Sequence, residues 1–550
     1  MGIFVNDVSD SEKYKLWIPK IEKYQQQLKA DTIAEYLLPQ SELPELDELF
    51  DATEVPYKVL SSREIEITDS SASELVRKIA EGHLTAVETL NAFLKRATIA
   101  SQLTNCVTQF IATEGQKRAE ELDKYYADTG KTVGPLHGLP VSVKEHYKMK
   151  GKVTHAGYVS LIESVSDEDA LAVEVLGDAG AVFYVRTTQP QTLMHLDSDN
   201  NITGKTKNPR NLSLSPGGSS SGEGALVAMG GSPVGVGSDI GGSIRAPAAF
   251  CGCWGFKPTS KRLSVLGMVP TTPLQDIVPC TSGPLTRNCE DIELFMRAYL
   301  LMEPWKKDSG AIRLPWREVS FRKPSDLKIA IMYDDGMVLP LPPIFRGLEY
   351  AKEKLERNGA HIKTWEPYLC SEIYSLCGKA YNIDGNKSQR MSLISSGEPL
   401  KPLSVHALQV ECGDNGLETF DYIKLANYRD KMRDRYLHLM NDKDIDFILC
   451  PTYVGVAGKP ETPTHWLYTN LWNFLDMPGV SFPTGLAVDP VLDTKNKSFQ
   501  YRTKKEESEH ESYDPNDFKN APINLQLVTR RYDDEEVLAA AKLISEILSS

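Results

Sequence analysis

No stretch of the 550 residues is apolar for long enough to cross a bilayer. The longest run without a charged side chain, Ala97 to Thr113, is filled with Ser, Thr, Gln and Asn, whereas a spanning helix needs about 20 mostly apolar residues. A membrane span is therefore excluded. Positive charge is also in short supply: 61 Lys and Arg stand against 75 Asp and Glu, a net charge of −14. The best candidate for a basic cluster, Arg502, Lys504 and Lys505, is cancelled at once by Glu506, Glu507 and Glu509, so a phosphate backbone finds no stripe to bind and nucleic acid is not an expected partner. There is no C-x-x-C pair among the nine cysteines. An odd, scattered set of this kind reads as small buried residues in a reducing compartment. Cys251 and Cys253 are separated by a single residue, the wrong spacing for a zinc knuckle. The start, MGIFVNDVSDSEKYK, lacks the basic-then-apolar order of a signal peptide, Asn6 stands where myristoylation requires Ser or Thr, and the final LSS is no common address. The expected location is the cytoplasm, where the four N-x-[ST] sequons are silent.

Hydrophobic residues at 41% and charged residues at 25% are ordinary for a soluble globular chain with a large core. Ser11 to Leu38 has helical apolar spacing (Tyr14, Trp17, Ile18, Ile21, Tyr24) with a kink expected at Pro19, and an acidic, proline-punctuated stretch follows. Residues 1–60 thus read as an N-terminal helical arm. Two helices come next, with capping-box spacing at Ser71/Glu74 and Thr85/Glu88. Beyond them, β-like runs (LPVSVK, AVFYVR, KIAIMY, DFILCPT, INLQLV) alternate with helical segments such as DALAVEVLGDAG, IFRGLEYAKEKLERNG and DEEVLAAAKLISEILSS. The expected fold class is α/β, a mixed β-sheet core covered by helices, over 61–550. Val491 to Phe518, highly charged and poor in apolar pairs, is expected to be a solvated loop. No internal repeat or linker divides the chain.

The chemistry concentrates in SPGGSSSGEGALVAMGGSPVGVGSDIGGSIRAPAAFCGCWGFKPT, Ser215 to Thr259, where glycines let backbone N–H groups converge. Three mechanisms compete for it. A phosphate loop needs a lysine after its second glycine; Gly217 to Gly222 has the glycine spacing, but Glu223 follows. A nucleophile elbow is formally met by Gly218-Ser219-Ser220-Ser221-Gly222 with Ser220 at its centre. That elbow would need a downstream histidine, and His361, His406, His438, His465 and His510 are available in undistinguished contexts. The third reading joins Ser243 of DIGGSIR to Ser219 and to Lys144 of GLPVSVKEHYKMKG.

On that third reading the chain resembles the amidase signature family of serine amidohydrolases. SPGGSSSGEGAL followed by GSDIGGSIRAPAAFCGCWGFKPT is a long match, the lysine motif matches separately, and TNLWNFLDMPGVSFP at Thr469 to Pro483 is a further match. The resemblance runs from about Ile65 to the C-terminal helix and is nearest in style to the fungal acetamidase-type branch. It implies Lys144 as general base, Ser219 as a relay in a cis peptide, Ser243 as the acylated nucleophile, and oxyanion donors on the backbone of Ile240, Gly241, Gly242 and Ser243. It also implies an enzyme that needs no cofactor. Ser221 stands where many relatives have glycine.

The same residues make physical sense by themselves. A serine hydroxyl attacks only when a base takes its proton, and a lysine is a base only when neutral. Lys144 closes LPVSVK; in a central strand, desolvation would disfavour the ammonium, while the adjacent Glu145 would point to the other face. Taken singly, a strand lysine is usually solvated and serines beside glycines usually form turns. Asp239 and Arg245 flank Ser243 and are expected to pair and hold the loop. Met194 and Ser220 are assigned to substrate binding, against core packing and loop bracing as their plainer roles. Lone histidines such as His146 and His195 are read as structural.

The expected activity is hydrolysis of a small or aliphatic carboxamide through an acyl-enzyme. The alternatives are a glutamine-hydrolysing amidotransferase subunit, a histidine-dependent serine esterase, and a non-catalytic scaffold. The expected partner is the small-molecule amide, and the sequence is compatible with a homodimer.

Overall fold

Lys144 ends a strand that has neighbours on both sides. In the computed structural model, which describes residues 8–43, 51–270, 275–321, 323–408, 415–496 and 498–550, the chain builds one eleven-stranded sheet. Its strands are β1 (Val107–Phe110), β2 (Pro140–Lys144), β3 (Val182–Thr187), β6 (Val234–Asp239), β7 (Trp254–Lys257), β8 (Thr281–Thr286), β9 (Lys328–Ile331), β10 (His361–Thr364), β11 (Phe447–Pro451), β12 (Gly479–Ala487) and β13 (Pro522–Thr529). The short pair β4 (Asp199–Asn200) and β5 (Gly204–Lys205) stands apart. The spatial order is β1-β3-β2-β6-β8-β7-β12-β13-β11-β9-β10. The β3-β2-β6 and β11-β9-β10 groups are parallel and the remaining pairs antiparallel. This is the expected mixed sheet, and helices cover it.

The five β-like runs read from sequence all fall on strands, and the two helices expected after the arm form at Ala72–Ala80 and Ala86–Thr104. Ser71 and Thr85 each accept from the backbone of Glu74 and Glu88. The complete reciprocal capping box, however, is one helix earlier, at Ser61 and Glu64.

Because β2 and β6 run parallel, with Val143 opposite Val236, their carboxyl ends emerge at one edge of the sheet, where α/β proteins place ligands. That register brings Lys144 next to Ser238 and Asp239. Two wholly buried helices, Ser221–Ala228 and Arg245–Cys251, pack on the same region. Their small side chains, Gly222, Gly224, Ala246 and Ala248 among them, permit the close approach.

The arm is interrupted where expected, just ahead of Pro19: a short helix Ser11–Lys15 ends in a turn at Leu16 and Trp17, and a second helix runs Ile18–Ala30 with Pro19 in its first turn, where a missing N–H costs nothing. That helix sets Ile21, Tyr24 and Leu28 against Val159, Ile162 and Ile202. The charged segment from Val491 to Phe518 is not simply a solvated loop. It contains the helix Lys504–Glu511, capped by Thr503, with Glu506, Glu509 and His510 buried. Glu506 repays its burial by accepting from the Leu339 amide at 2.9 Å and pairing with Arg502, a compensation that composition could not reveal. Cys412 and the acidic stretch 44–50 lie outside the described residues. No helix among the described residues is long and apolar enough to cross a membrane.

Candidate active site

Lys144 is fully buried, and its Nζ lies 2.7 Å from Ser219 Oγ and 3.2 Å from Ser238 Oγ. Burial drives its pKa down to about 7, against the opposing pull of Cys280, Asp239 and Glu223. A fair share of the amine is therefore neutral near pH 7, as a proton acceptor requires. Glu145 points to the opposite face, where it accepts from the amides of His155 and Ala156 at 2.7 and 3.0 Å.

Ser219 follows a cis peptide bond at Gly218. A Cβ on Gly218 would sit 2.4 Å from the carbonyls of both His195 and Asp197, so the loop tolerates no side chain there. Ser219 and Ser243 line one small cavity together with Met194, Ile240, Met268 and Val269. No hydrogen bond joins the two serine hydroxyls; the loops that carry them are linked by the Ser220 amide, which donates to the Ser243 carbonyl at 3.0 Å.

Ser220 is corrected by the structure. It is completely buried, its hydroxyl donates to the Ser238 carbonyl and accepts from the Ser238 amide, both at 3.3 Å, and no histidine bonds to it. It braces the loop, and the elbow reading loses its base. Met194, by contrast, lines both the cavity at the serines, about 70 Å³, and a second cavity of about 420 Å³ walled by Tyr374, Tyr381, Trp466, Asn470 and Lys505. Ser221 is accommodated by a 3.3 Å hydrogen bond to the Asp197 carbonyl.

The turn from Ile240 to Ser243 is held from outside. Tyr381 donates to the Ile240 carbonyl at 2.8 Å and Thr469 to the Gly241 carbonyl at 2.6 Å. Since C=O and N–H of a trans peptide point in opposite directions, these bonds also set where the next amides face. Gly242, at φ +127° with Thr469 Oγ1 2.4 Å from where a Cβ would be, can only be glycine.

The Gly242 amide is spoken for, donating to Asp239 Oδ1 at 2.8 Å, which corrects its assignment as an oxyanion donor. The amides of Ile240, Gly241 and Ser243 have no protein acceptor among the described residues. Asp239 and Arg245 form the expected pair, fully buried, with Arg245 Nε and Nη2 each 3.1 Å from the carboxylate. Burial opposes ionisation of Asp239, yet the Arg245 charge holds its pKa far below the usual carboxylate range. Asn473 completes the fork at 2.9 Å. Asp239→Ala should therefore cost about 3–5 kcal/mol by stranding a buried guanidinium. A denaturant titration checks this, and an unchanged midpoint would show the pair to be dispensable.

Thr469, Asn473 and Tyr381 were not singled out from sequence. The first two lie four residues apart on the helix Leu467–Phe474, one face of a turn, and that i, i+4 spacing inside TNLWNFLDMPG was the available signal. Ser238 was missed too, and His146 was taken as merely structural.

The family profile described as Amidase matches residues 88–538. The chain belongs to the amidase signature family. Acetamidases of Emericella nidulans and Aspergillus oryzae are each 38% identical to it, over 90% of this chain and 91% of the first and over 89% of this chain and 92% of the second. Among solved structures, a fatty acid amide hydrolase superposes with a TM-score of 0.97 at 48% identity, covering 99% of this chain and 98% of that one. The chain is thus an amide hydrolase with the amidase signature fold.

Proposed function

We propose that this amidase hydrolyses a small aliphatic carboxamide through an acyl-enzyme on Ser243, with Lys144 as base and Ser219 between them. The observation that carries the reading is the 2.7 Å contact between a buried, pKa-lowered lysine and Ser219, in the same cavity wall as Ser243. In the first half-reaction Ser243 Oγ attacks the amide carbon, its proton moves to Ser219, and the Ser219 proton moves to Lys144. The negative oxygen is met by amides of the Ile240–Ser243 turn, with Ile240, Gly241 and Ser243 as donors. The ammonium at Lys144 then returns a proton through Ser219 to the departing nitrogen, and ammonia leaves. Water, deprotonated along the same path, attacks the acyl ester; Lys144 returns that proton through Ser219 to the departing Ser243 oxygen, and the acid is freed as its carboxylate. The missing hydrogen bond between the serines is supplied by rotation of a serine side chain, since catalytic contacts commonly tighten only in the reacting complex.

A cavity of about 70 Å³ with an apolar lining beside Ser243 has room for a short acyl group, in keeping with the acetamidase relatives. A second reading, a longer acyl chain, is favoured by the roughly 420 Å³ cavity that shares Met194 with the first as a lining residue. Turnover of acetamide, butyramide, a long-chain fatty amide and glutamine by the purified chain decides: kcat/KM should peak at two to four carbons. A rise toward the fatty amide transfers the proposal to the second reading, and activity confined to glutamine, or absent without a partner, would favour an amidotransferase subunit. The eight cysteines of the described residues are all free, which supports a cytoplasmic location. We take 61–550 as the catalytic domain and 1–60 as an arm docked on it.

A further inference from the structure

His146 lies two residues beyond Lys144, is buried, and lines the cavity at the serines. Its Nδ1 is 3.2 Å from the Val269 carbonyl and its Nε2 is 3.0 Å from Ser238 Oγ. We propose that His146, acting through Ser238, is a positioning residue that fixes the direction in which Lys144 presents its lone pair. The inference rests on the reading of Lys144 as the base.

Each step follows from counting protons. A carbonyl oxygen only accepts, so Nδ1 carries the hydrogen, and in a neutral ring Nε2 is then an acceptor. The Ser238 hydroxyl has one proton, and Nε2 takes it. Only oxygen lone pairs remain toward Lys144 Nζ at 3.2 Å, so the amine must donate an N–H to Ser238. Its own lone pair is then left for the Ser219 hydroxyl at 2.7 Å, the one hydroxyl whose proton it is meant to receive. Without an acceptor at Nε2, Ser238 can turn its proton onto Nζ and cap the base from the wrong side.

The surroundings keep the ring neutral. Burial holds the His146 pKa well below its ordinary value, and Arg186, together with Lys144 whenever the amine is protonated, adds to the effect. Of the groups facing Lys144, burial pushes the Cys280 thiol up to about 12 and the Glu223 carboxyl up to about 8, so their pull on the amine is weak near pH 7. Asp239 is ionised but bound to Arg245. Among the described residues Ser238 Oγ has no hydrogen-bond partner besides Lys144 and His146.

Two amide side chains separate the ring's two ends. His146→Asn reproduces the donor to Val269 but offers nothing at the Nε2 position, while His146→Gln places an acceptor there. His146→Asn should lower kcat by about 10–100-fold, the usual cost of losing a group that orients a primary one, with little change in KM. The acid limb of its kcat/KM profile should move to lower pH, because a hydroxyl donating to the neutral amine favours that form. His146→Gln should recover most of what His146→Asn loses.

In a Ser238→Ala background, His146→Asn should have no further effect, since the residue acts only through Ser238. Unchanged kcat and an unmoved acid limb in His146→Asn, or a loss of equal size with and without Ser238, would overturn the proposal. Lys144→Met measured alongside separates the two levels: if that variant keeps its turnover, the assignment of the base fails; if it loses its turnover while His146→Asn keeps the unaltered kcat and acid limb, only the positioning role fails.

Discussion

Replacing Ser243 by alanine is expected to lower kcat by about 10⁴-fold or more, the scale at which removing a serine nucleophile leaves only binding and oxyanion contacts to act. Covalent labelling by a fluorophosphonate probe should vanish with it. The fold should survive, because the change removes one oxygen at a residue whose hydroxyl makes no hydrogen bond to another described residue and whose backbone carbonyl still accepts from Ser220. Stoichiometric labelling of Ser243→Ala would move the nucleophile elsewhere, with Ser219 the first place to look. The intact protein should label once per chain; no labelling at all would favour the scaffold reading.

Lys144→Met should depress kcat/KM by about 10²–10⁴-fold near neutrality, the range for loss of a positioned general base. Its signature is in the pH profile. Lys144 has its pKa lowered to about 7 by burial, so the unaltered enzyme should lose activity about tenfold per pH unit below that value, as the amine gains the proton that stops it accepting another. The methionine variant, with no group titrating there, should show no such limb and a residual rate rising with hydroxide. Methionine fills the buried space of the lysine stem, which keeps packing loss apart from the chemical loss. An acid limb near pH 7 that persisted in Lys144→Met would assign it to a different group.

The serines and the lysine were legible because their contexts are local. GGSSSG, DIGGSIR and LPVSVKEHY each bring glycine, serine or lysine into a short segment whose backbone habits follow from neighbours in the chain. The mixed sheet was legible for a similar reason: alternating β-like and helical periodicity reports the class of fold without its pairing. Less was visible where one residue type serves two purposes. Ser219, Ser220 and Ser221 are chemically alike, and only their partners divide them: Ser219 meets Lys144, Ser220 grips the Ser238 backbone, and Ser221 bonds to the Asp197 carbonyl. The charged segment around Lys504–Glu511 misled for the same reason, since burial of Glu506 depends on Leu339, 167 residues away.

The amino-acid sequence by itself determined the reaction class, the order of strands and helices along the chain, and the lysine and two serines nominated for the chemistry, because motif spacing and periodicity act over a few residues. Tertiary structure alone decided which amides of the Ile240–Ser243 turn are free, that Gly242 is tied to Asp239, and that His146 reaches Lys144 through Ser238. Those outcomes depend on hydrogen bonds between groups far apart in the chain, such as Thr469 and Gly241, separated by 228 positions. No local pattern encodes which distant donor will arrive, and a donor or acceptor buried by folding must take the partner that packing delivers.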